Sequence, residues 1–204
     1  MSVISIGIVD YGMGNHASVV NSLRNLGFRV KVSEEESVLD DVDVLLIPGV
    51  GAFPAAMDAL QQRGLVTYLK HQANMQRPIV GICLGMQLLA SSSSEFVYTS
   101  GLDIIQGEIV PIDHSKWHIG WNTLQCATKE AWLKPSEGEA FYFNHSFCYK
   151  GPNEYQIGLS NHPEPLVAMI RKDMSVGIQF HPEKSQTAGK VLLNNIMLEL
   201  TSHA

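Results

Sequence analysis

RPIVGICLGMQLL, residues 77–89, joins a short apolar run to a segment rich in helix formers. Residues 78–82 predict a buried strand, and residues 84–90 predict the start of a helix. Cys83 then lies at the turn between them, in the G-x-nucleophile-x-G pattern with cysteine in place of serine. The flanking glycines allow a strained turn, and the N-terminus of the following helix favours the nucleophilic thiolate. A structural cysteine buried at a strand-to-helix junction is the alternative interpretation.

Strand-like and helix-like patterns alternate around this turn through the first half of the chain. Apolar residues in segment 17–26 share one helical face, and the pattern ends at Gly27. This alternation predicts an α/β fold with three layers, in which a mostly parallel central sheet is flanked by helices. The other predicted elements are strands at residues 3–9, 28–32 and 43–47 and a helical region at residues 53–73 that breaks near Gly64.

The second half of the chain is β-rich. Short β-prone pieces are separated by Gly, Pro and Asn turns, and a final helix is predicted at residues 188–200. The run Ser91–Ser94 is a low-complexity patch and predicts a flexible loop. With 204 residues and no linker-like stretch, residues 1–204 are expected to form a single domain. The β-prone pieces are residues 107–112, 121–126, 140–143, 155–159, 166–170 and 176–180.

The composition excludes several classes of partner. The net charge is −6 and no basic cluster occurs, so nucleic acid and anionic membranes are poor candidates. The N-terminus lacks a basic leader, and no apolar run approaches the roughly 18 residues that span a bilayer. The three cysteines have no paired spacing, which favours a reducing compartment over a disulfide framework or a zinc site. We therefore expect a cytoplasmic protein.

Two further motifs follow predicted strands, where ligands bind in parallel sheets. PGVGAF, residues 48–53, has glycines that free backbone N–H groups to face a ligand, as an oxyanion hole requires. QFHPEKS, residues 179–185, places His181 and Glu183 on the same side of an extended chain. A thiol, a histidine and an orienting carboxylate form a nucleophile–base arrangement. Taken singly, the first motif also fits an ordinary βα turn, and His181 fits a structural histidine.

Two rival motifs point to other chemistry. GMGNHA, residues 12–17, fits the dinucleotide-binding pattern, with acidic residues available at 34–36. His114 and His118 are four apart and would form a metal pair on a helix, but the Glu of H-E-x-x-H is missing and a strand is expected to begin nearby. The stronger chemistry lies elsewhere, so no cofactor and no metal are expected.

Six short motifs run in order along nearly the whole chain: DYGMGN (10–15), PGVGAF (48–53), GICLGMQLL (81–89), GWN (120–122), YFNHSF (142–147) and QFHPEKS (179–185). In this order they resemble class I glutamine amidotransferases. DYGMGN and GWN are similar, within that class, to the glutaminase subunits of imidazole glycerol phosphate synthases. The resemblance implies hydrolysis of L-glutamine to glutamate, with ammonia passed on for histidine biosynthesis.

The resemblance also implies roles for the catalytic residues. Cys83 would attack the glutamine side-chain amide and form a glutamyl thioester. His181 would carry the proton to the departing ammonia, and Glu183 would orient His181. The oxyanion donors would be the backbone N–H of Leu84 and one N–H from the segment Gly49, Val50 and Gly51.

Substrate and partner contacts follow from the same resemblance. Gln87 and Glu95 match positions that hold glutamine, and Glu95 is suited to its α-ammonium group. Ser146 and Phe147 match a loop whose backbone receives the α-carboxylate. The partner would be a (β/α)₈-barrel synthase subunit in a heterodimer, through which ammonia travels. The residues that match the partner face are Asn15, Trp121, Asn122, Tyr142 and Lys184.

Some stretches depart from the family pattern. Segment 115–119 reads SKWHI, segment 91–96 reads SSSSEF, Asn144 replaces a small apolar residue, and Phe147 replaces a usual Tyr. These departures leave the triad intact but keep an alternative pathway open: a paralogous subunit that supplies ammonia for amidination of a surface-polysaccharide sugar. A related Cys-His-Glu hydrolase would lack Gln87 and Glu95 at these spacings, and a non-catalytic module would tolerate loss of Cys83 or His181.

Overall fold

The computed structural model describes residues 3–113, 117–161 and 164–202. The strands are β1 (Ser5–Val9), β2 (Arg29–Ser33), β3 (Val44–Ile47), β4 (Ile79–Ile82), β5 (Ser92–Ser93), β6 (Thr99–Ser100), β7 (Glu108–Pro111), β8 (His118–Cys126), β9 (Ala140–His145), β10 (Phe147–Lys150), β11 (Gln156–Ser160), β12 (Leu166–Lys172) and β13 (Ser175–Ile178). The helices are α1 (His16–Asn25), α2 (Glu36–Leu39), α3 (Phe53–Gln62), α4 (Leu65–Asn74), α5 (Leu84–Leu88) and α6 (Gln186–Thr201).

Nine strands form one mixed sheet in the order β2-β1-β3-β4-β13-β12-β11-β8-β9. The first five strands of this order pair in parallel. The remaining pairings, from β13 to β9, are antiparallel. The α/β prediction is confirmed, and four strands of the β-rich second half, β8, β9, β11 and β12, extend the same sheet from the central strand β13.

Helices cover both faces of the parallel half and produce the three layers. Leu23 of α1 and Ile196 of α6 share one buried cluster with alternate strand residues such as Leu46. Leu60 of α3 shares the opposite cluster with the next strand residue, Leu45. Because successive strand side chains point to opposite faces, strands covered on both sides must be apolar throughout, as β3 and β4 are.

The break predicted near Gly64 is confirmed. Gly64 has a φ of 73°, a left-handed conformation that favours glycine, and it separates α3 from α4. The helix predicted around residues 17–26 is present as α1, which begins after the N-cap Asn15. No helix within the described ranges has the length and apolar character needed to cross a bilayer.

The flexible loop predicted at Ser91–Ser94 is wrong. Ser92 and Ser93 are buried and form β5, which pairs with Glu108 and Ile109 of β7. They belong to a second, four-stranded sheet in the order β10-β7-β5-β6. A serine run lacks the alternation that marks a strand, so only the tertiary pairing decides its conformation. The strand β10 was also not predicted from the sequence.

Candidate active site

The turn at Cys83 has the strained geometry expected from its flanking glycines. Cys83 has φ 56° and ψ −110°, a conformation that is costly for any residue with a side chain. A Cβ atom at Gly81 would lie 2.5 Å from the carbonyl oxygen of Gly85. A Cβ atom at Gly85 would lie 1.9 Å from the carbonyl oxygen of Ile47. Both glycines are therefore required by close backbone approach, which holds the thiol at the end of β4.

Three predicted motifs meet because β3, β4 and β13 are parallel neighbours. Their carboxyl ends lie at one edge of the sheet, where ligands bind in such folds. The segment 48–53 follows β3, Cys83 follows β4, and His181 comes shortly after β13. The sheet order thus brings together residues that are about a hundred positions apart in the chain.

The Gly-rich segment after β3 is held in place by the side chain of Tyr11. The Tyr11 hydroxyl donates a hydrogen bond of 2.6 Å to the Pro48 carbonyl oxygen. A Cβ at Gly49 would lie 2.7 Å from the Tyr11 hydroxyl oxygen and 2.8 Å from the Cβ of Leu84. Burial, and then the nearby charge of Cys83, raise the pKa of Tyr11 far above its usual range, so the hydroxyl remains a donor. Gly51 follows with a φ of 111°.

His181 and Glu183 form a buried pair. The Nδ1 atom of His181 lies 2.8 Å from Oε1 of Glu183, and both side chains are almost fully buried. Burial is the largest single influence and lowers the pKa of His181. Hydrogen bonds to Cys83 and Glu183, together with their charges, outweigh it and raise the pKa of His181 to about 9. The raised pKa keeps the imidazole protonated at neutral pH, so it can donate a proton beside Cys83.

A cavity of about 450 Å³ opens beside Cys83 and His181. Its volume is suited to a small polar molecule. It brings together residues from the turn at Cys83 and the start of α5, the Gly-rich segment 48–53, the loop after β5 and the turn between β9 and β10. The residues that line it are Val50, Gly51, Cys83, Leu84, Gln87, Glu95, Phe96, Asn144, His145, Ser146, Phe147 and His181.

Glu95 is held at this cavity by two backbone contacts. Its own N–H donates to the hydroxyl of Ser93 at 3.1 Å. Its Oε2 atom accepts a hydrogen bond of 2.7 Å from the N–H of Phe53, the first residue of α3. A carboxylate at a helix N-terminus is favourable because it satisfies an orphan N–H and opposes the helix dipole. The buried strand β5 thereby fixes Glu95, the residue that the family resemblance matches to glutamine binding.

Gln87 connects the two sides of the cavity floor. Its Nε2 atom donates to the carbonyl oxygen of Phe147 at 3.2 Å and to Oε1 of Gln179 at 3.1 Å. The Nε2 atom of Gln179 in turn lies 4.0 Å from the sulfur of Cys83. Gln179 is fully buried, and the sequence reading did not select it. The signal was available, because Gln179 lies two residues before His181 in an extended segment and so faces the same side.

Three of the five predicted partner-face residues form one group. Trp121 and Tyr142 pair across β8 and β9 with ring centroids 6.1 Å apart. The Nζ atom of Lys184 lies 5.9 Å from the Tyr142 ring centroid. Asn15 is exposed at the N-cap of α1, where its side chain bonds to Ser18. Asn122 faces the opposite side of β8 from Trp121, as the alternation of a strand requires.

The spacing of His114 and His118 would suit a metal only on a helix, and His118 lies on a strand. His118 lies on β8 and is buried, and its Nδ1 atom is 3.0 Å from Nε2 of His145. His114 lies outside the described residues. Among the residues that the structure describes, no three His, Cys, Asp or Glu side chains are grouped so that they could hold a metal ion.

The family model for class-I glutamine amidotransferases matches residues 7–200. The chain belongs to the class-I glutamine amidotransferase family. Among the relatives of this amidotransferase is the imidazole glycerol phosphate synthase subunit HisH of Listeria innocua, which is 39% identical, with 92% of each chain covered. The protein of the same name from Bacillus cereus is 37% identical over 93% of this chain and 92% of its own.

Solved structures show the same fold at lower sequence identity. A chain of PurLQS from Thermotoga maritima aligns with a TM-score of 0.79 and 16% identity, over 98% of this amidotransferase and 100% of that chain. A glutamine amidotransferase from the same organism aligns with a TM-score of 0.73 and 13% identity, over 98% and 99%. At these identities the likeness is evidence for the fold alone.

Proposed function

We propose that this chain is the glutaminase subunit of an imidazole glycerol phosphate synthase, acting as one amidotransferase domain in the cytoplasm. The observation that carries the proposal is the cavity that joins Cys83, on its strained turn, to His181, Gln87 and Glu95. The HisH names of the relatives support the histidine pathway. No feature of the described residues favours the sugar-amidating alternative.

In the proposed reaction, the sulfur of Cys83 attacks the side-chain carbonyl carbon of glutamine. The resulting oxyanion is stabilised by the backbone N–H of Leu84 and by one N–H from the segment 49–51. His181, whose imidazole is protonated at neutral pH because its pKa is raised, gives a proton to the amide nitrogen as ammonia leaves. A glutamyl thioester remains on Cys83.

The second half of the reaction frees the cysteine and restores protonated His181. Neutral His181 accepts a proton from water, and the hydroxide formed attacks the thioester carbonyl carbon. The carbon–sulfur bond then breaks, so the sulfur of Cys83 is again beside protonated His181, and the carboxylic acid product leaves as glutamate after releasing its proton to water. Glu183 holds the imidazole in place through the 2.8 Å contact at Nδ1.

Glutamine would be held by groups on opposite walls of the cavity. The carboxylate of Glu95 is suited to the α-ammonium group, and the backbone of Ser146 and Phe147 is suited to the α-carboxylate. Released ammonia would pass to a (β/α)₈-barrel synthase subunit docked on the face that holds Trp121 and Tyr142. At cytoplasmic pH free ammonia is mostly ammonium, which is a poor nucleophile, so direct delivery preserves its reactivity.

The experiment is to measure glutamate release by the chain alone, with an imidazole glycerol phosphate synthase barrel subunit, and with that subunit plus its acceptor. We expect stimulation by the barrel subunit, with glutamate and imidazole glycerol phosphate formed in equal amounts. Stimulation by a sugar-amidating partner, and not by the imidazole glycerol phosphate synthase barrel, would instead support the alternative function in sugar amidination. No glutamate in any arm would refute the glutaminase assignment.

A further inference from the structure

A continuous set of hydrogen bonds runs through the β8–β9 hairpin. His118 and His145 are opposite each other in the register of the two strands, and both are buried. The Nδ1 atom of His118 lies 3.0 Å from Nε2 of His145. The Nδ1 atom of His145 lies 2.8 Å from the carbonyl oxygen of Phe147. At the other end, Nε2 of His118 lies 3.2 Å from Nδ2 of Asn122.

Backbone groups at the two ends fix the direction of every bond. The Thr123 N–H donates to Oδ1 of Asn122 at 2.8 Å, so the amide Nδ2 of Asn122 must donate to Nε2 of His118. The carbonyl oxygen of Phe147 only accepts, so His145 carries its proton on Nδ1 and accepts at Nε2. The proton between the rings therefore belongs to Nδ1 of His118. All four bonds point from the hairpin toward Phe147.

The surrounding packing holds the two rings in place. The His118 ring stacks on Phe143 with a centroid distance of 4.2 Å. Between His118 and Asn122 lies Gly120, whose φ of 122° favours glycine. Buried polar groups that are hydrogen-bonded in this way favour one arrangement of the side chains. Any other arrangement leaves a buried donor or acceptor without a partner, which costs free energy.

The receiving carbonyl is part of the cavity floor. The Phe147 oxygen also accepts the hydrogen bond from Gln87, which bonds to Gln179 beside Cys83. His145 itself lines the cavity. The bonds thus join the strand that carries Trp121 to the loop assigned to the α-carboxylate of glutamine.

We propose that Asn122, His118 and His145 form a positioning relay that sets the orientation of the Phe147 peptide and so the affinity of the cavity for glutamine. The relay rests on the proposed glutaminase function, but none of its members touches the reacting atoms. It gives the partner-bearing hairpin a direct mechanical connection to the substrate loop. The interaction free energy between two members of the relay is measured by comparing the two single variants with the double variant.

The test compares Asn122→Ala, His118→Phe and the double variant, each saturated with the barrel synthase subunit. We expect each single variant to raise the KM for glutamine at least fivefold while kcat changes less than threefold. Because one break disables the whole relay, the double variant should match the worse single variant. Ile119→Ala is the matched control, since this exposed neighbour lies outside the relay, and its KM should stay within twofold of wild type.

Two outcomes would overturn the relay. One is an unchanged KM in Asn122→Ala, a half-buried position where the variant is expected to fold. The other is a double variant whose KM increase equals the product of the two single increases, since that result means independent sites. The proposed function fails separately, when wild-type protein with its partner releases no glutamate.

Discussion

The parallel and antiparallel halves of the sheet differ in how they contribute to the site. In the parallel half, β3, β4 and β13 each end at one edge and are followed by a short motif. In the antiparallel half, the hairpin β8–β9 contributes through side chains that meet across strands. The functional residues at the parallel strand ends belong to contiguous motifs, which can be recognised in the sequence. The side-chain contacts across the hairpin depend on the register of the two strands, which the sequence alone does not reveal.

The largest effect is expected from replacing the proposed nucleophile, Cys83, which lies at the end of β4 in the parallel half. Cys83→Ala should abolish glutamate release while leaving the fold intact, because only one small side chain is lost. The measurements are the glutaminase rate and labelling by a glutamine-analogue alkylator. Cys126→Ala is the control and should keep wild-type activity, since burial and Glu137 raise the pKa of Cys126 to about 12 and keep it an unreactive thiol. Labelling of Cys126 or Cys148 in place of Cys83 would disprove the assignment.

The proton carrier should give the next largest effect. His181→Asn should lower kcat by about 10²–10⁴, the usual contribution of general acid–base catalysis. Glu183→Gln should cost less, because Glu183 orients the imidazole and transfers no proton. Steady-state kinetics with saturating partner measure both. Wild-type turnover in His181→Asn would rule out the triad.

A pair of glycine substitutions separates the two halves by stability. Gly85→Ala places a Cβ 1.9 Å from a backbone oxygen, so we expect a loss at or above the roughly 1–3 kcal/mol typical of overpacking. Gly138, between β8 and β9, has a φ of 74° and no heavy atom near the added Cβ. Gly138→Ala should cost only about 1–2 kcal/mol, for the left-handed backbone alone. Urea unfolding of both variants measures the difference, and equal losses would contradict the backbone-contact explanation.

The hairpin face should affect association more than chemistry. Trp121 is half exposed and pairs with Tyr142, so Trp121→Ala should weaken binding of the barrel subunit by about tenfold or more, as aromatic interface anchors do. The kcat at saturating partner should remain near wild type. Titration calorimetry gives the affinity, with Met75→Ala, at the exposed C-cap of α4, as the control. An unchanged affinity in Trp121→Ala would remove the hairpin from the proposed interface.

The smallest effect expected is a pH dependence of stability. Folding raises the pKa of His181 from 6.5 to about 9, so the protonated ring stabilises the folded state. That contribution is fully present below about pH 6.5 and is lost as the pH rises through 9. The difference in Tm between wild type and His181→Asn should therefore be larger at pH 6 than at pH 9.5. Scanning calorimetry at the two pH values measures it, and a constant difference would contradict the raised pKa.

The sequence by itself determined the α/β class, the strand-to-helix turn at Cys83 and the break at Gly64, because each depends on local periodicity and on glycine conformations. Local chemistry selected Cys83, the Gly-rich segment 48–53, His181 and Glu183, because strand ends and turns carry them in short contiguous motifs. The resemblance to the family added Leu84, Gln87, Glu95, Ser146 and Phe147, which also line the cavity. Phe96, Asn144 and His145 line it too, and neither argument selected them as site residues.

Tertiary structure alone decided the conformation of the serine run and the partners of the buried polar groups. Ser92 and Ser93 become a strand because β7 offers a pairing edge, and Glu95 reaches the N-terminus of α3 only through that pairing. His118 and His145 meet because strand register places them opposite each other. Such contacts join residues that no local pattern relates, since hydrogen-bond partners across strands are set by the register of the whole sheet.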